Sequence, residues 1–261
     1  MSLRIAFDMD GVVADMEAEL VRQAEILFGE PMTRRLQREA GKPSPSNESG
    51  IAPPAATNSE KSTESTAAGE TPTEVDSVPP LIRLQLTERQ QRRLWRHVET
   101  IENFWETLKE IESGSVSRLA AVATARKWEV IFLTKRPATL GSTSQVQTQR
   151  WLESKGFTLP SVYVVQGSRG RIAAALDIDF VVDDRPENCL DVVADSTARA
   201  ILVWREDERQ LPSAARRLGI GVVKSVDECL DILAKVDQPA EKPRIVDRVM
   251  QLLGLKETAS A

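Results

Sequence analysis

Histidine is almost absent from this 261-residue sequence, which contains only His97. A Ser-His-Asp triad or a histidine-ligated metal depends on imidazole groups, so the composition argues against both. The two cysteines, Cys189 and Cys229, lie far apart and form no Cys-x-x-Cys pair. Their spacing argues against a structural zinc site and indicates a reducing compartment.

Long apolar runs are also missing. No apolar run approaches the roughly 18 residues that a membrane-spanning helix needs, and no signal-like segment precedes the first predicted strand. We therefore expect a soluble, cytoplasmic protein without a membrane partner. The formal net charge of −5 does not favour binding to polyanions, so we expect no nucleic-acid partner.

The most informative stretch is residues 3–13. It begins as a short apolar run that predicts a buried strand, and it ends in Asp8-Met9-Asp10-Gly11. Carboxylates two residues apart on an extended chain point to the same side, and they repel each other unless a cation or a proton intervenes. This pattern favours a divalent metal beside a nucleophile or an acid/base pair. The alternative is a turn with two solvated aspartates.

From residue 115 onward, short apolar strands alternate with helical patterns. This alternation is typical of parallel βαβ units, and it predicts an α/β fold with a Rossmann-like parallel sheet. The predicted strands are 130–133, 162–165, 180–182, 200–204 and 222–223, and the predicted helices are 116–128, 145–155, 172–176, 187–193, 212–218 and 226–234.

The segment between the first strand and residue 115 has a different character. Helical spacing covers 14–28, a capping box at Thr87 begins a second helix, and a further helical piece is predicted over 101–111. Residues 41–80 are rich in Pro, Ser, Thr and Glu and contain no aromatic residue, which predicts a disordered insertion.

Three predicted strands end in polar residues at the sheet edge where parallel folds bind ligands. Asp8 and Asp10 follow the first strand, Thr134 follows the second, and Asp183-Asp184 follow the fourth. An ordinary helix N-cap is the alternative at Thr134 and at the Asp pair.

These residues resemble the motifs of the haloacid dehalogenase (HAD) superfamily of phosphotransferases. Within it, the flanking residues of all three motifs resemble the 5′(3′)-deoxyribonucleotidase family. The resemblance implies a catalytic core of 1–13 and 116–235, and a helical cap inserted after the first strand as residues 14–115. The remaining residues, 236–261, form a tail with one predicted amphipathic helix.

The resemblance also implies a mechanism that uses Mg²⁺. Asp8 is the expected nucleophile and Asp10 the expected acid/base. The metal is expected on Asp8, on Asp10 and on one of Asp183 and Asp184.

Thr134 and Lys135 are expected near the phosphate. The family's usual lysine is missing, and Arg169 or Arg171 is expected to replace it, with Arg171 slightly favoured.

The substrate is expected to be a small phosphorylated molecule, and the resemblance implies a nucleoside monophosphate. Phe104 and Trp105 could stack on its base, although core packing is the alternative for both. Two further alternatives remain: a phosphatase for sugar phosphates or other metabolites, and a HAD-like protein that binds a phosphorylated ligand with little turnover.

Overall fold

A parallel six-stranded sheet forms the centre of the molecule, in the order β3-β2-β1-β4-β5-β6. The computed structural model describes residues 2–29 and 86–237, so the predictions for 41–80 and for the C-terminal helix lie outside the described residues. The strands are β1 (Arg4–Asp8), β2 (Glu129–Thr134), β3 (Ser161–Val164), β4 (Phe180–Asp183), β5 (Arg199–Val203) and β6 (Gly221–Val223).

Strand β1 lies between β2 and β4 and is buried on both faces. Ile5 and Phe7 belong to one apolar cluster and Ala6 to another, because successive side chains of a strand point to opposite faces. Helices cover both faces: α1 (Met16–Phe28), α2 (Glu88–Glu99), α3 (Ser115–Arg126), α4 (Ser144–Ser154), α5 (Arg169–Ala175), α6 (Pro186–Asp195), α7 (Ser213–Arg217) and α8 (Val226–Val236).

The predicted α/β fold with a Rossmann-like parallel sheet is confirmed. The predicted strands and helices of residues 116–236 recur with shifts of a few residues at their ends. The helix predicted over 101–111 is wrong, because the segment contains only a short 3-10 helix at Phe104–Glu106. Asn103 adopts a left-handed conformation with φ of 50°, which prevents a continuous helix from forming there.

The chain leaves and re-enters the region of the sheet at adjacent places. The amide of Asp15 donates to the carbonyl of Lys109 at 2.9 Å, and the amide of Ile111 donates to the carbonyl of Val13 at 3.0 Å. Between these passages, α1 and α2 pack together, and the predicted capping box at Thr87 is present. The assignment of this segment as a separate cap stays a prediction.

Within 2–29 and 86–237, no helix is both long enough and apolar enough to cross a membrane.

Candidate active site

Three neighbouring strands bring the predicted motif residues to one edge of the sheet. Asp8 ends β1, Thr134 ends β2 and Asp183 ends β4. Parallel pairing of β1 with β2 and with β4 places all three strand ends on the same side. This is the edge at which open parallel sheets bind their ligands.

A tight turn after β1 directs Asp10 back toward Asp8. The amide of Asp10 donates to Oδ2 of Asp8 at 3.1 Å. Gly11 has a φ of +87°, and a Cβ at this position would collide with the carboxylate of Asp184. Glycine is therefore required here both by the left-handed backbone and by the close approach of the two loops.

Asp8 shares a buried cluster with Arg169 and Asp183. Nη2 of Arg169 donates to Oδ1 of Asp8, and Nε lies 3.7 Å from Oδ2 of Asp183. Burial and then the charge of Asp183 raise the pKa of Asp8 well above its usual range, while Arg169 opposes the shift. Burial also raises the pKa of Asp183, again against Arg169.

Asp184 adds a further carboxylate to this cluster. Burial and then the charge of Asp183 raise the pKa of Asp184 to about 7. Asp183 has its oxygens satisfied by the amide of Arg185 and by the side chain of Asn188. By contrast, Oδ1 of Asp184 is buried without a hydrogen-bond partner.

The cluster therefore contains more negative than positive charge. Nε and Nη1 of Arg169 are also buried without hydrogen-bond partners. Buried polar groups that lack partners are rare in folded proteins and call for an explanation such as a bound ion or ligand.

Helix α5 determines which of its two arginines reaches the site. Arg169 is directed inward with a side chain that is 2% exposed, whereas Arg171 is 85% exposed and lies 3.9 Å from Asp195. The preference for Arg171 is therefore wrong, and Arg169 occupies the position beside Asp8. A Cβ on Gly170 would collide with the backbone of Asp191, so Gly170 allows α5 to pack closely on α6.

Asp10 lies in a second, better satisfied part of the site. Arg136 donates to Oδ1 of Asp10 from Nη2 at 2.7 Å and to Oδ2 from Nε at 3.0 Å. The hydroxyl of Thr134 also donates to Oδ2, at 3.0 Å. Both oxygens of Asp10 are thus paired with donors.

Arg136 is the site residue that the sequence did not assign. Its only signal was its position two residues after Thr134, and its partner Asp10 is far away along the chain. Lys135, which was assigned, lies between Thr134 and Arg136 and is partly exposed.

Phe104 and Trp105 are both fully buried. Trp105 donates from Nε1 to the carbonyl of Pro137 at 3.0 Å, and its backbone amide donates to Gln147. The guanidinium of Arg136 lies over the Trp105 ring, 4.9 Å from its centroid. The stacking role considered for these two side chains is therefore corrected to core packing, because neither presents an open face to a ligand.

Comparison of the structure with solved structures gives 31 matching chains. A candidate beta-phosphoglucomutase from Thermotoga maritima matches with a TM-score of 0.51 and 18% sequence identity, over 90% of this chain and 99% of that one. The present chain therefore has the same fold as that protein. A HAD family hydrolase from Deinococcus radiodurans R1, with bound phosphate and sodium, matches with a TM-score of 0.46 and 14% identity, over 90% of this chain and 96% of that one.

No family model matches the chain, and no curated protein matches it. At these identities the solved structures establish the fold alone, and they do not support the deoxyribonucleotidase family in particular.

The residues at this sheet edge fit a divalent metal in part. No group of three His, Cys, Asp or Glu side chains in the described ranges is already arranged around one ion. Mg²⁺, however, usually keeps several waters and takes only one or two protein carboxylates. Asp8 and the unpaired Oδ1 of Asp184 can supply these, and the main-chain carbonyl of Asp10 can supply a third protein oxygen.

Proposed function

We propose that this protein is a Mg²⁺-dependent phosphomonoesterase that uses Asp8 as its nucleophile. The observation that carries the proposal is the cluster of Asp8, Arg169, Asp183 and Asp184, in which buried donors and a buried acceptor lack partners. A phosphate group would accept from Arg169, and a metal cation would be bound by Asp184. Together, the phosphate and the cation would supply the partners that Arg169 and Asp184 lack.

In the first half-reaction, an oxygen of Asp8 forms a bond to phosphorus, and the bond between phosphorus and the leaving-group oxygen breaks. Asp10 is the proposed acid, which gives a proton to the departing oxygen. In the second half-reaction, Asp10 takes a proton from water as that water attacks phosphorus. The bond between phosphorus and Asp8 then breaks, which restores the carboxylate.

Groups at the same sheet edge would bind the phosphate. Arg169 offers Nε and Nη1, and Thr134 offers a hydroxyl that now donates to Asp10. Arg can contact two phosphate oxygens at once, which suits a position where the resembled family carries a lysine. Bound Mg²⁺ would screen the repulsion between the phosphate and Asp8.

Asp184 is the proposed metal ligand of the Asp pair. Its Oδ1 is free of hydrogen bonds, whereas both oxygens of Asp183 already accept from Asn188. Asp183 is better described as the group that orients Arg169, since its Oδ2 lies 3.7 Å from Nε.

The proposed substrate is a small phosphorylated metabolite. The burial of Phe104 and Trp105 removes the side chains that were expected to stack on a base. A nucleoside monophosphate stays a candidate through the resemblance of the motifs. Sugar phosphates belong in the same test, because the structurally similar Thermotoga protein is described as a candidate beta-phosphoglucomutase.

The test is a panel of phosphomonoesters that includes dUMP, dTMP, dAMP and several hexose phosphates. Purified full-length protein is assayed for phosphate release with Mg²⁺ and with EDTA. We expect turnover that requires the metal. Absence of turnover on the whole panel, with inorganic phosphate still bound, would favour the HAD-like binding protein instead.

The panel also ranks the substrates. A sugar phosphate that exceeds every nucleotide in kcat/KM by tenfold, which is about 1.4 kcal/mol of transition-state binding, would contradict a nucleotidase.

A further inference from the structure

Arg136 is engaged at all three of its nitrogens. Nε and Nη2 donate to Asp10, and Nη1 donates to the hydroxyl of Thr148 at 2.8 Å. The Arg136 side chain is 0% exposed and stacks on Trp105. Each nitrogen of Arg136 therefore already has a partner, and the buried guanidinium is not open to a phosphate group.

We propose that Arg136 is a positioning residue that fixes the carboxylate of Asp10 for proton transfer. This inference rests on the proposed phosphomonoesterase function. Two donors from a rigid guanidinium plane determine both the position and the rotation of the carboxylate. Proton transfer requires hydrogen-bond distance to the leaving oxygen, so a rotated carboxylate would transfer its proton poorly.

The guanidinium is itself fixed from two sides. Thr148 accepts from Arg136 and donates to the carbonyl of Ser144 at 2.7 Å within α4. Trp105 covers one face of the guanidinium, and its own position is determined by hydrogen bonds to Pro137 and Gln147. Arg136 thus connects Asp10 to α4 and to the segment that returns to the sheet through Trp105.

A kinetic double-mutant cycle tests the role. We compare wild type, Asp10→Asn, Arg136→Gln and the double variant with an alkyl phosphomonoester that wild type hydrolyses, because its alkoxide leaving group needs an acid. In the wild-type background, Arg136→Gln should lower kcat by about 100-fold, within the range of acid/base contributions, and leave KM within about threefold. In the Asp10→Asn background the same change should lower kcat by less than about threefold, since residues that act as a unit are not additive.

Two further variants sharpen the cycle. Arg136→Lys retains the charge without the planar guanidinium and should have a higher kcat than Arg136→Gln. Guanidinium added to Arg136→Gln should likewise raise its kcat. Arg150→Gln is the matched control, because Arg150 is 53% exposed, contacts Glu106 near Trp105 and does not touch Asp10. Equal losses from Arg136→Gln in both backgrounds, or weaker inhibition by inorganic phosphate, would overturn the proposal.

If Arg136→Gln does not fold, Thr148→Val replaces it. This variant removes the acceptor of Nη1 without changing a charge, and it should lower kcat several-fold with little change in KM. An unchanged kcat in Thr148→Val would then count against the proposal.

The inference can fail separately from the proposed function. If wild type hydrolyses no phosphomonoester, the proposed function is wrong. Thermal unfolding of the four proteins of the cycle still tests whether Arg136 pairs with Asp10. Non-additive shifts in Tm are expected if Arg136 fixes Asp10, because contacting residues couple. Additive shifts would overturn the proposal.

Discussion

The two halves of the site differ in how completely their charges are matched. On one side, Asp10 has donors from Arg136 and Thr134 on both of its oxygens. On the other, Asp8 and Asp183 share the buried Arg169, and both Arg169 and Asp184 retain atoms without partners. The first half is complete without a ligand, whereas the proposed cation and phosphate would complete the second.

The largest expected effect is at the nucleophile, in the unmatched half. Asp8→Asn preserves the shape of the side chain and removes the attacking charge, so kcat should fall by about three orders of magnitude or more. Steady-state phosphate release measures the loss, and circular dichroism checks that the fold is retained. Substantial residual turnover in a metal-dependent wild type would exclude Asp8 as the nucleophile.

Among the described residues, Arg169 is the only buried cation in contact with Asp8, and Arg169→Ala should remove it. Breaking a buried pair costs about 3–5 kcal/mol, and loss of a phosphate contact should lower kcat/KM by about 100-fold. Urea unfolding and inhibition by inorganic phosphate measure the two effects.

Arg171→Ala provides a control on the same helix. Its side chain is 85% exposed, so stability should change by no more than about 0.5 kcal/mol and activity should be unaffected. If Arg169→Ala and Arg171→Ala lost equal stability and activity, the assignment of Arg169 alone to the site would be wrong.

The excess negative charge also predicts how stability depends on pH. The pKa of Asp184 is about 7 in the folded protein, well above that of a solvated aspartate. The folded state thus binds its proton more tightly than the unfolded state. The free energy of unfolding in EDTA should fall as pH rises from about 4 to 7, by up to about 4 kcal/mol.

Asp184→Asn should reduce this dependence without abolishing it, because the pKa values of Asp8 and Asp183 are also raised. Mg²⁺ should stabilise wild type at pH 8 but not the variant. Urea unfolding at pH 5.5 and pH 8 tests both statements. If Mg²⁺ still stabilised Asp184→Asn, another carboxylate would have to be the metal ligand.

The smallest expected effect comes from Gly170, whose backbone packs against α6. Gly170→Ala would force α5 away from Asp191, at a cost of about 1–3 kcal/mol, and would displace Arg169. We expect kcat to fall by about tenfold, since small displacements of binding groups are costly. Gly167→Ala is the control, because a Cβ there would meet no heavy atom within 4 Å.

The sequence predicted the fold well because each local pattern agreed with the sheet. Apolar strands that end in Asp8, Thr134 and Asp183 lead to one edge only if the strands are parallel, and the structure has this arrangement. The helix over 101–111 was wrong for a physical reason. Its apolar residues contact the core from an irregular segment, and the amide of Trp105 is satisfied by Gln147 rather than by a helical carbonyl.

The two arginine assignments could not be made from the sequence alone. Choosing between Arg169 and Arg171 requires the phase of α5, which begins after the N-cap Ser168, earlier than the pattern predicted. The pairing of Arg136 with Asp10 depends on the contact between the loops that follow β1 and β2. No local pattern specifies such a contact between distant residues.

The adjacent chain passages at Val13–Asp15 and at Lys109–Ile111 have a consequence for how this protein can change. The entropic cost of closing a segment between fixed ends rises only slowly with its length, by about 0.6 kcal/mol for each doubling. Residues can therefore be added or removed between α1 and α2 with little effect on the carboxylates at the sheet edge.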